Sequence, residues 1–370
     1  MGYSALVILE DSSKSRFGGG QNVTLSLLEI TRGVCETIVF DFARTSEFMD
    51  RARGSSIDVR SLRSGGSIVS ARSASFSLGA AEILSTPILL FRSFLTVFSA
   101  LRNKRLYPVQ ALIYCATKKT VLIGLLLHII GGYQYLFHAH SLDTRWSLWF
   151  WILYMPMRMA KRVICVSEVV KRNIRTPNCR VVYNPGPRVE TATKRTLRAS
   201  VHVAVFASLL KWKGISYFMR SHRYLHSPSL VYFHIYGEGP ERPFLEQYCG
   251  THVRIEGFAA NPIEKMRNFI DIIVVPSIST EACPMTPVEA LSCGIPVITT
   301  NFGGQAEIVI DGVCGKHVAP RSPRAIASAI DEFLEHPAEY ERLSHGAIER
   351  ARAFDRELFA QKMLELLRVA

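Results

Sequence analysis

Short runs of apolar residues, each the length of a strand, alternate with longer amphipathic stretches along most of this chain. Most of the runs are continuous rather than alternately apolar and polar, which is typical of strands that are buried on both faces. Strands that alternate with helices favour parallel sheets covered by helices. The strands predicted in this way are ALVILE (5–10), ALIYCA (111–116), YQYLFHAH (133–140), RVICVS (162–167), VVYNPGP (181–187), VHVAVFASL (201–209), FHIY (233–236), VRIEGF (253–258), DIIVVPS (271–277) and PVITT (296–300).

A segment without apolar periodicity separates these strands into two groups. Val189–Ala199 has the sequence VETATKRTLRA, which is typical of a linker between domains. A chain of 370 residues is long enough for two domains with cores of their own. The Arg/Ser/Gly-rich residues 43–80 fit no element and are interpreted as a mobile loop. The predicted organisation is a first domain at 1–188, a linker at 189–200, a second domain at 201–356 and a final helix at 357–370.

One predicted junction between a strand and a helix carries two carboxylates. The segment Pro276–Gly315 reads PSISTEACPMTPVEALSCGIPVITTNFGGQAEIVIDGVCG, and its first loop contains Glu281. The sequence TPVE at 286–289 predicts a helix start with Thr286 as the N-cap and the proline as the first helical residue. In doubly wound sheets such junctions form the ligand crevice. Glu281 and Glu289 are therefore candidate binding residues, although Glu289 alone could complete a capping box and Glu281 alone could be a solvated acid.

Two further junctions carry groups that suit an anion. Lys213 and Gly214 follow the strand at 201–209 and precede a predicted helix at 215–225. A cation at a helix N-terminus opposes the helix dipole unless an anion lies between them, so Lys213 indicates a diphosphate site; a solvated lysine is the alternative. Gly18-Gly19-Gly20 joins the first strand to a helix predicted over Gln21–Thr31 and presents backbone N–H groups. This glycine pattern is not G-x-G-x-x-G and does not favour a dinucleotide site.

The net charge of +13 belongs almost entirely to the first half of the chain. Residues 1–185 hold 23 Lys and Arg against 11 Asp and Glu, whereas residues 186–370 hold 21 against 20. An acidic partner such as an anionic lipid, a lipid diphosphate, an acidic glycan or a nucleic acid would suit the first half. No segment predicts a membrane span, but Trp146–Ala160 is aromatic and precedes two basic residues, as in interfacial helices. We predict peripheral membrane contact, with a buried core helix as the alternative.

Eight cysteines are scattered along the chain without a Cys-x-x-Cys pair. This spacing argues against a zinc ribbon and against a thioredoxin-like redox site. Scattered thiols in a chain without a recognisable signal peptide are typical of a reducing compartment. We therefore predict a cytoplasmic protein.

The block at Pro276–Gly315 resembles the signature of retaining nucleotide-sugar glycosyltransferases of family 4. The shared pattern is PS…E…PVEAL…GIPVITT…GG…EIV…DG, with Glu281 and Glu289 at the family's spacing. The resemblance extends over residues 130–350 and is loose over residues 1–110. It implies the α/β GT-B fold, with two Rossmann-like doubly wound parallel-sheet domains facing across a cleft. It also implies that the final helix packs back on the first domain and that residues 43–80 lie on the acceptor side.

The resemblance assigns donor-binding roles to residues of the second domain. Glu289 would hold the ribose hydroxyls, Glu281 the hydroxyls of the donor sugar, and Lys213 the diphosphate. The backbone N–H groups of Met285 and Thr286 would face the sugar or the β-phosphate. Lys213 and Glu281 would thus act directly in catalysis.

Further positions match the family outside this block. His140 would lie near the sugar and the acceptor, although His138 faces the same side of the strand and a structural role is also open. Gly19 and Gly20 would face the donor phosphates, and Glu238 would lie near the base. Glu307 matches a family position for which a structural role is equally possible. A His-x-His pair can bind metal, but the sequence offers no third ligand.

The chain departs from the family at the cationic motif. The family's Gly-Arg-Leu-x-x-x-Lys-Gly appears here as ASLLKWKG at 207–214, so that Ser208 replaces the arginine. Lys211 is the nearest cation that could compensate. Pro284 stands where the family commonly has glycine, which removes one N–H donor. Asp-x-Asp, the usual metal-binding motif of such enzymes, is absent, so we predict no metal and no cofactor other than the nucleotide-sugar co-substrate.

The sequence therefore predicts a retaining, metal-independent glycosyltransferase. The predicted acceptor is a glycan or a lipid-linked glycan, as in cell-surface polysaccharide synthesis at the cytoplasmic face of a membrane. A nucleotide-sugar epimerase of the same architecture and a non-catalytic scaffold subunit remain alternatives, the latter because of Ser208. A nucleic-acid partner is not predicted, since no recognised binding module occurs.

Overall fold

The computed structural model describes residues 3–12, 19–42, 45–54, 57–62, 80–106, 108–142, 148–189 and 195–368. The chain forms two compact units, which are described separately. Unit 1 consists of Met1–Val166, Val170–Val182 and Ala360–Ala370, and unit 2 consists of Ser167–Val169 and Tyr183–Phe359. Most of the loop predicted at 43–80 and the centre of the linker predicted at 189–200 lie outside the described residues.

Unit 1 contains a parallel sheet with the strand order β3-β2-β1-β4-β5-β6-β7. Its strands are β1 (Ala5–Glu10), β2 (Glu36–Asp41), β3 (Asp58–Ser61), β4 (Ala111–Cys115), β5 (Gln134–Ala139), β6 (Arg162–Cys165) and β7 (Cys179–Val181). The intervening helices are α1 (Gly19–Thr31), α2 (Glu47–Gly54), α3 (Ala80–Asn103), α4 (Lys118–Gly131), α5 (Leu148–Met159) and α6 (Glu168–Ile174). The chain leaves β1 and β4 in opposite directions, which creates a topological switch point between them.

Strand β1 shows why the apolar runs of unit 1 become central strands. All six of its residues are buried, and Val7 aligns with Ile38 of β2 and with Ile113 of β4. A strand covered on both faces and paired on both edges is apolar along nearly all of its length, and in β1 only the last residue, Glu10, is polar. Helix α4 packs closely on the sheet because Gly124 has no side chain; a Cβ there would lie 2.6 Å from the Sγ of Cys115.

Unit 2 contains a second parallel sheet, with the strand order β10-β9-β8-β11-β12-β13. Its strands are β8 (Val201–Phe206), β9 (Val231–Tyr236), β10 (Val253–Gly257), β11 (Ile272–Val275), β12 (Val297–Thr300) and β13 (Gly315–Val318). The helices that follow α6 are α7 (Ile215–Ser221), α8 (Arg242–Leu245), α9 (Pro262–Phe269), α10 (Met285–Ser292), α11 (Gly303–Ile308), α12 (Pro323–Glu335), α13 (Pro337–Ala351) and α14 (Arg356–Arg368). The switch point of this sheet lies between β8 and β11.

Alternate residues of β8 supply the two faces of the unit 2 sheet. Val203 packs in a core with Phe218 of α7, and Ala204 packs in a separate core with Val288 of α10. The period of two is what a pleated strand imposes on side-chain direction. Helices therefore cover both faces of the sheet.

The prediction of two domains with parallel, Rossmann-like sheets is confirmed. Strands β2, β3 and β13 were missed from the sequence. The four residues of β3 are all half-buried, and β2 begins with exposed Glu36, so neither is an uninterrupted apolar run. Among the described residues, no helix is both long enough and apolar enough to cross a membrane. The last residues of α14, from Ala360 onward, pack with unit 1.

Candidate functional site

The candidate site of unit 2 lies where β8 and β11 end side by side. The two strands are paired in parallel, with Ile272 aligned to Val203, so the loops that leave them share one edge of the sheet. Residue Ile278 joins these loops by donating its N–H to the carbonyl of Trp212 at 2.8 Å. This is the switch point at which open α/β sheets bind ligands.

Lys213 and Glu281 form an ion pair across this junction. The lysine Nζ lies 2.6 Å from Oε2 of Glu281, and the two side chains are 18% and 8% exposed. Ser277 donates its hydroxyl to the other oxygen of Glu281, and the lysine Nζ lies 4.5 Å from the ring centroid of Trp212. An ammonium group has three N–H donors. The pair therefore holds Lys213 in place while leaving it donors for an anion.

The turn that carries Lys213 fits against the end of β11 because Gly214 follows it. Lys211–Lys213 form a short 3-10 turn that ends at Gly214, whose φ is +69°. A Cβ at this position would lie 2.1 Å from the carbonyl oxygen of Pro276. Helix α7 begins only at Ile215 and ends at Ser221, which is shorter than the predicted helix at 215–225. Lys213 thus precedes the helix by two residues.

The start of α10 differs from the sequence prediction. The helix begins at Met285 with Pro284 as the N-cap, so the assignment of Thr286 as the N-cap was wrong. The hydroxyl of Thr286 instead donates to the carbonyl of Phe206 at the end of β8, at 2.9 Å. Because proline lacks an N–H and has a restricted φ, it suits the entry to a helix. The first N–H groups of α10, including those of Met285 and Thr286, have no partner within the helix.

Glu289 lies inside α10 and is half-buried. The capping box that its sequence position permitted is not formed, since Thr286 is not the N-cap. No group in the described part of the chain donates a hydrogen bond to its carboxylate, and burial raises its pKa to about 7. A carboxylate that has lost water without gaining a donor is suited to bind hydroxyl groups.

The loop that contains Glu281 is fixed by the start of α11. The N–H of Gly304 donates to the carbonyl of Glu281 at 2.7 Å, and the N–H of Glu281 lies 3.3 Å from Oε1 of Gln305. A Cβ on Gly304 would lie 2.2 Å from the carbonyl oxygen of Ala282. The Gly303-Gly304 pair therefore allows two backbone segments to approach closely.

The remaining candidates of the β8 loop lie beside the turn that follows β9. Ser208 and Lys211 are exposed. The loop after β8 and the turn after β9 are joined by a backbone hydrogen bond, in which the N–H of Leu209 donates to the carbonyl of Glu238 at 3.0 Å. The side chain of Glu238 pairs with Arg242 at 2.6 Å. The structure thus brings Ser208, Lys211 and Glu238 to the same edge of the sheet as Lys213.

Both carboxylate oxygens of Glu307 accept hydrogen bonds from residues of unit 2, to which the first two residues of α6 belong. Its two carboxylate oxygens accept the N–H groups of Glu168 at 2.7 Å and Val169 at 3.0 Å. The hydroxyl of Tyr183 also donates to it, at 2.7 Å. Of the two interpretations that the sequence left open for Glu307, these contacts favour the structural one.

In unit 1, His140 follows β5 and lies against the start of α1. A Cβ built on Gly20 would lie 3.6 Å from the His140 ring, so the structure brings together two predicted candidates. Both ring nitrogens of His140 are buried and have no hydrogen-bond partner among the described residues. Burial lowers the pKa of His140 to about 4, so the ring is neutral near pH 7. Gly19 is the first residue of α1, and Gly18 lies outside the described residues.

His138 and His140 lie on the same side of β5, as their spacing predicts. Their ring centroids are 4.0 Å apart, and Nδ1 of His138 hydrogen-bonds to the hydroxyl of Tyr114. Burial holds the pKa of His138 well below its usual range. His138 therefore belongs to a buried polar cluster through Nδ1. Within the described part of the chain, its Nε2 and both nitrogens of His140 have no hydrogen-bond partner.

The sequence reasoning missed two buried carboxylates at the ends of β1 and β2. Glu10 accepts a hydrogen bond from the hydroxyl of Thr24 at 2.7 Å, and burial raises its pKa to about 7. Asp41 accepts the N–H of Ser12 at 3.0 Å. An acidic residue that ends an apolar strand, as in ALVILE and ETIVFD, was the available signal. Within the described ranges, no three His, Cys, Asp or Glu side chains are grouped to hold a metal ion.

A match to a known family falls in unit 2, and curated proteins match shorter parts of the chain. Residues 199–350 match the family described as Glycosyl transferases group 1. Sucrose synthase from Nitrosomonas europaea is 37% identical over 94 residues, which are 24% of this chain and 12% of that protein. Sucrose synthase 5 from Oryza sativa subsp. japonica is 35% identical over 91 residues, 23% of this chain and 11% of that protein. The chain thus matches about an eighth of the length of these relatives or less.

Solved structures resemble the whole chain in fold. HepE from Anabaena in complex with UDP has a TM-score of 0.78 and 20% identity, covering 98% of this chain and 99% of that chain. Sucrose-phosphate synthase from Thermosynechococcus elongatus has a TM-score of 0.74 and 19% identity, covering 98% of both chains. The lipopolysaccharide outer core galactosyltransferase WaaB has a TM-score of 0.76 and 16% identity, again covering 98% of both. The GT-B fold class predicted from the sequence is confirmed.

Proposed function

We propose that this chain is a glycosyltransferase that moves a sugar from a nucleotide-sugar donor to a glycan or lipid-linked acceptor. The observation that carries the proposal is the Lys213–Glu281 ion pair at the switch point of the unit 2 sheet. It lies at the edge where α10 begins, and α10 also carries Glu289, whose carboxylate has no donor in the described residues. The match of residues 199–350 to Glycosyl transferases group 1 supports the same reaction.

We propose that the reaction retains the configuration of the sugar. The bond between the sugar C1 and the β-phosphate oxygen breaks, and its electron pair leaves with the nucleoside diphosphate. The acceptor hydroxyl forms the new bond to C1 on the same face and gives its proton to a phosphate oxygen of the donor. Lys213 stabilises the negative charge that develops on the leaving diphosphate.

Glu281 has two tasks in this proposal. It holds Lys213 at 2.6 Å, which fixes the cation before the donor binds. It also offers carboxylate oxygens to the hydroxyls of the donor sugar. Each oxygen already accepts one hydrogen bond, and a carboxylate has about four acceptor sites in all. Both tasks are therefore compatible at one side chain.

Glu289 and the first turn of α10 complete the proposed donor site. Two ribose hydroxyls donating to Glu289 would replace the water that burial has removed from it, and would stabilise its ionised form. The N–H groups of Met285 and Thr286 point out of the helix start and suit the β-phosphate or the sugar. Glu238 lies in the turn after β9, beside the loop that follows β8. We propose that it lies near the base of the nucleotide.

The reaction is proposed to proceed without a metal ion. The sequence lacks Asp-x-Asp, and a lysine together with helix N–H groups supplies positive charge to the diphosphate. Hydrogen bonds to charged groups are worth about 1.5–3 kcal/mol each. A few such bonds together are comparable with the stabilisation that a bound metal ion would give to the leaving diphosphate.

The test is transfer of a radiolabelled sugar to lipid extract or oligosaccharide from the native host. UDP-sugars are the first donors to screen, because HepE has been solved in complex with UDP-glucose. Proton NMR of the product gives its anomeric configuration. Activity that persists in EDTA supports the metal-independent reaction; loss of activity that Mg²⁺ or Mn²⁺ restores contradicts it, and an inverted product contradicts retention.

A non-catalytic scaffold subunit is the second candidate, favoured by the exposed Ser208 at the position of the family's arginine. Such a subunit would bind nucleoside diphosphates without transferring sugar. Binding without transfer from any nucleotide-sugar would establish it. No disulfide joins the eight cysteines, all of which lie in described residues, and this supports our proposal that the protein works in a reducing, cytoplasmic setting.

A further inference from the structure

Helices α3, α4 and α5 lie side by side on one face of the unit 1 sheet. Helix α4 packs against α3 on one side and against α5 on the other. The approach of α3 and α4 is close, since a Cβ on Gly131 of α4 would lie 3.0 Å from the ring of Phe98. The three crossovers that contain these helices all progress from β3 toward β6. Crossovers between parallel strands are almost always right-handed, so we infer that the three helices lie on the same face. We call this surface the α3–α5 face.

The outer surface of the α3–α5 face carries several large apolar side chains. Its helices also bury apolar residues toward the sheet, such as Val97, Leu127 and Met157. Helices that are apolar on both sides are unusual on a water-exposed surface. The large apolar side chains exposed on it are Phe91 (54%), Leu95 (46%), Ile129 (63%), Ile130 (55%), Met155 (56%) and Met159 (41%).

Val109 extends the same apolar surface at the end of α4. It is 76% exposed in the loop before β4. The preceding Pro108 would lie 3.6 Å from a Cβ on Gly132, the residue that ends α4. The loop and the last turn of α4, with Ile129 and Ile130, therefore form one continuous projection.

Basic residues outnumber acidic ones in the part of the chain that forms this face. Residues 83–167 contain ten Lys and Arg and one acidic residue, Asp143. Two of the ten, Lys104 and Lys119, form ion pairs with carboxylates outside this range. Arg92, Arg102 and Arg158 are exposed on α3 and α5, and no carboxylate in the described residues forms an ion pair with them. Long basic side chains can keep their charge at the surface while their stems lie along apolar groups.

We propose that the α3–α5 face docks this protein on an anionic lipid surface. Apolar side chains would enter the boundary between headgroups and acyl chains, and the arginines would contact lipid phosphates. A second copy of this chain fits less well, because it would bring two cationic surfaces together. The proposal does not depend on sugar transfer, since lipid binding is measured without a donor.

The test is flotation of the full chain with vesicles, without any sugar donor. Vesicles of phosphatidylglycerol and phosphatidylcholine are compared with vesicles of phosphatidylcholine alone, at 20 mM and 500 mM NaCl. Binding is expected to the anionic vesicles at low salt and to weaken as salt rises, since exposed charges are screened over about 3 Å at 1 M and 30 Å at 0.01 M.

Matched variants localise the binding surface. Arg102→Glu is expected to lower the vesicle partition coefficient at least about fivefold, because each basic residue near such a surface contributes about that factor. The paired Ile129→Ser and Ile130→Ser variant should lower it at least about tenfold. Arg254→Glu and Phe258→Ser, which alter exposed residues of unit 2, should leave it unchanged. Circular dichroism checks that each variant is folded.

Two outcomes overturn the proposal. One is the absence of wild-type binding to anionic vesicles at 20 mM NaCl, or binding that the Arg102→Glu and Ile129/Ile130 variants leave intact. The other is a dimer in analytical ultracentrifugation that these variants dissociate while vesicles remain unbound, because the face is then a subunit interface. If the isoleucine variant is unfolded, Arg102→Glu alone decides between these results.

Discussion

At the scale of single residues, the donor site depends on an ion pair between loops that are far apart in the sequence. Lys213 and Glu281 are both largely buried, so neither would be stable there without the other. The nearby Lys211 lies in the same 3-10 turn but is exposed. The two lysines therefore differ in how well they are positioned, although they are two residues apart.

We predict that Lys213→Ala lowers kcat/KM for a nucleotide-sugar by about 100-fold or more, the loss of one well-placed electrostatic group. Lys211→Ala is expected to have a similar effect only if Lys211 replaces the arginine missing at Ser208. Ser208→Arg should strengthen nucleoside diphosphate binding in either case. Steady-state kinetics of the three variants test this. Wild-type kinetics for Lys213→Ala would contradict the site, whereas wild-type kinetics for Lys211→Ala would remove only the compensation.

Glu289 gives a pH-dependent prediction. Its pKa in the folded chain is raised from 4.5 to about 7 by burial, so the folded state favours the protonated form. Its contribution to the free energy of unfolding is fully present below pH 4.5 and is lost as the pH rises through 7. Glutamine does not ionise, so Glu289→Gln removes this loss. The variant should be more stable than wild type at pH 8, by at most about 3 kcal/mol. It should also bind the donor more weakly, because the carboxylate is missing.

Urea unfolding of both proteins at pH 4.5, 6 and 8 measures the Glu289 effect. The half-buried position of the side chain will reduce its size through contact with solvent. Glu365→Gln, an exposed change on α14, is the matched control and should show no such trend. A stability difference between Glu289→Gln and wild type that is the same at all three pH values would contradict the prediction.

At the scale of elements, the site depends on how the loops after β8 and β11 are folded. Helix α10 starts at Met285, and Thr286 ties its first turn to the end of β8 through the carbonyl of Phe206. The turn Lys211–Lys213 approaches the end of β11 because Gly214 lacks a side chain. Both contacts join the ends of neighbouring strands. The close approach of Gly214 determines the position of Lys213, and the Thr286 hydrogen bond determines the position of the N–H groups of α10.

Gly214→Ala and Gly312→Ala separate backbone strain from close packing. Both glycines lie in unit 2 with positive φ, +69° and +67°, but a Cβ meets nothing within 4 Å at Gly312. Gly312→Ala should therefore lower the free energy of unfolding only by the cost of the left-handed backbone conformation, about 1–2 kcal/mol. Gly214→Ala should cost more and should also raise the dissociation constant for nucleoside diphosphates, because Lys213 moves with the turn. Equal losses of stability and unchanged binding in both variants would show that the close approach to Pro276 has no role.

At the scale of the whole molecule, chemistry and charge are divided between the two units. The proposed donor residues from Ser208 to Glu289 belong to unit 2, which includes Tyr183–Phe359, whereas the predicted donor residues Gly19 and Gly20 belong to unit 1. The apolar and basic α3–α5 face and the His138–His140 pair belong to unit 1. Each unit has its own parallel sheet, so each can respond to its own ligand.

We predict that a nucleoside diphosphate protects unit 2 locally from hydrogen exchange. At 100 times its dissociation constant, a ligand stabilises the binding-competent state by about 2.7 kcal/mol. Slower exchange is expected at 208–215 and 278–290, and the α3–α5 face should be unaffected. Exchange measured by mass spectrometry with and without UDP tests this, with Glu289→Gln as the control in which protection is reduced. Protection that spares both unit 2 segments would contradict the site.

The sequence by itself determined most of the strands, the parallel sheets and the spacing of the two candidate glutamates. β1 coincides with the predicted run at 5–10, and β5 and β11 lie within their predicted runs. These strands could be predicted because a strand buried on both faces requires a nearly continuous run of apolar residues. The spacing of Glu281 and Glu289 is likewise local. What only the tertiary structure decided was which loops meet. Lys213 pairs with Glu281 because β8 lies next to β11, and strand order follows from long-range packing rather than from local pattern. The start of α10 was decided in the same way, since Thr286 bonds to β8, a partner 80 residues away in the chain.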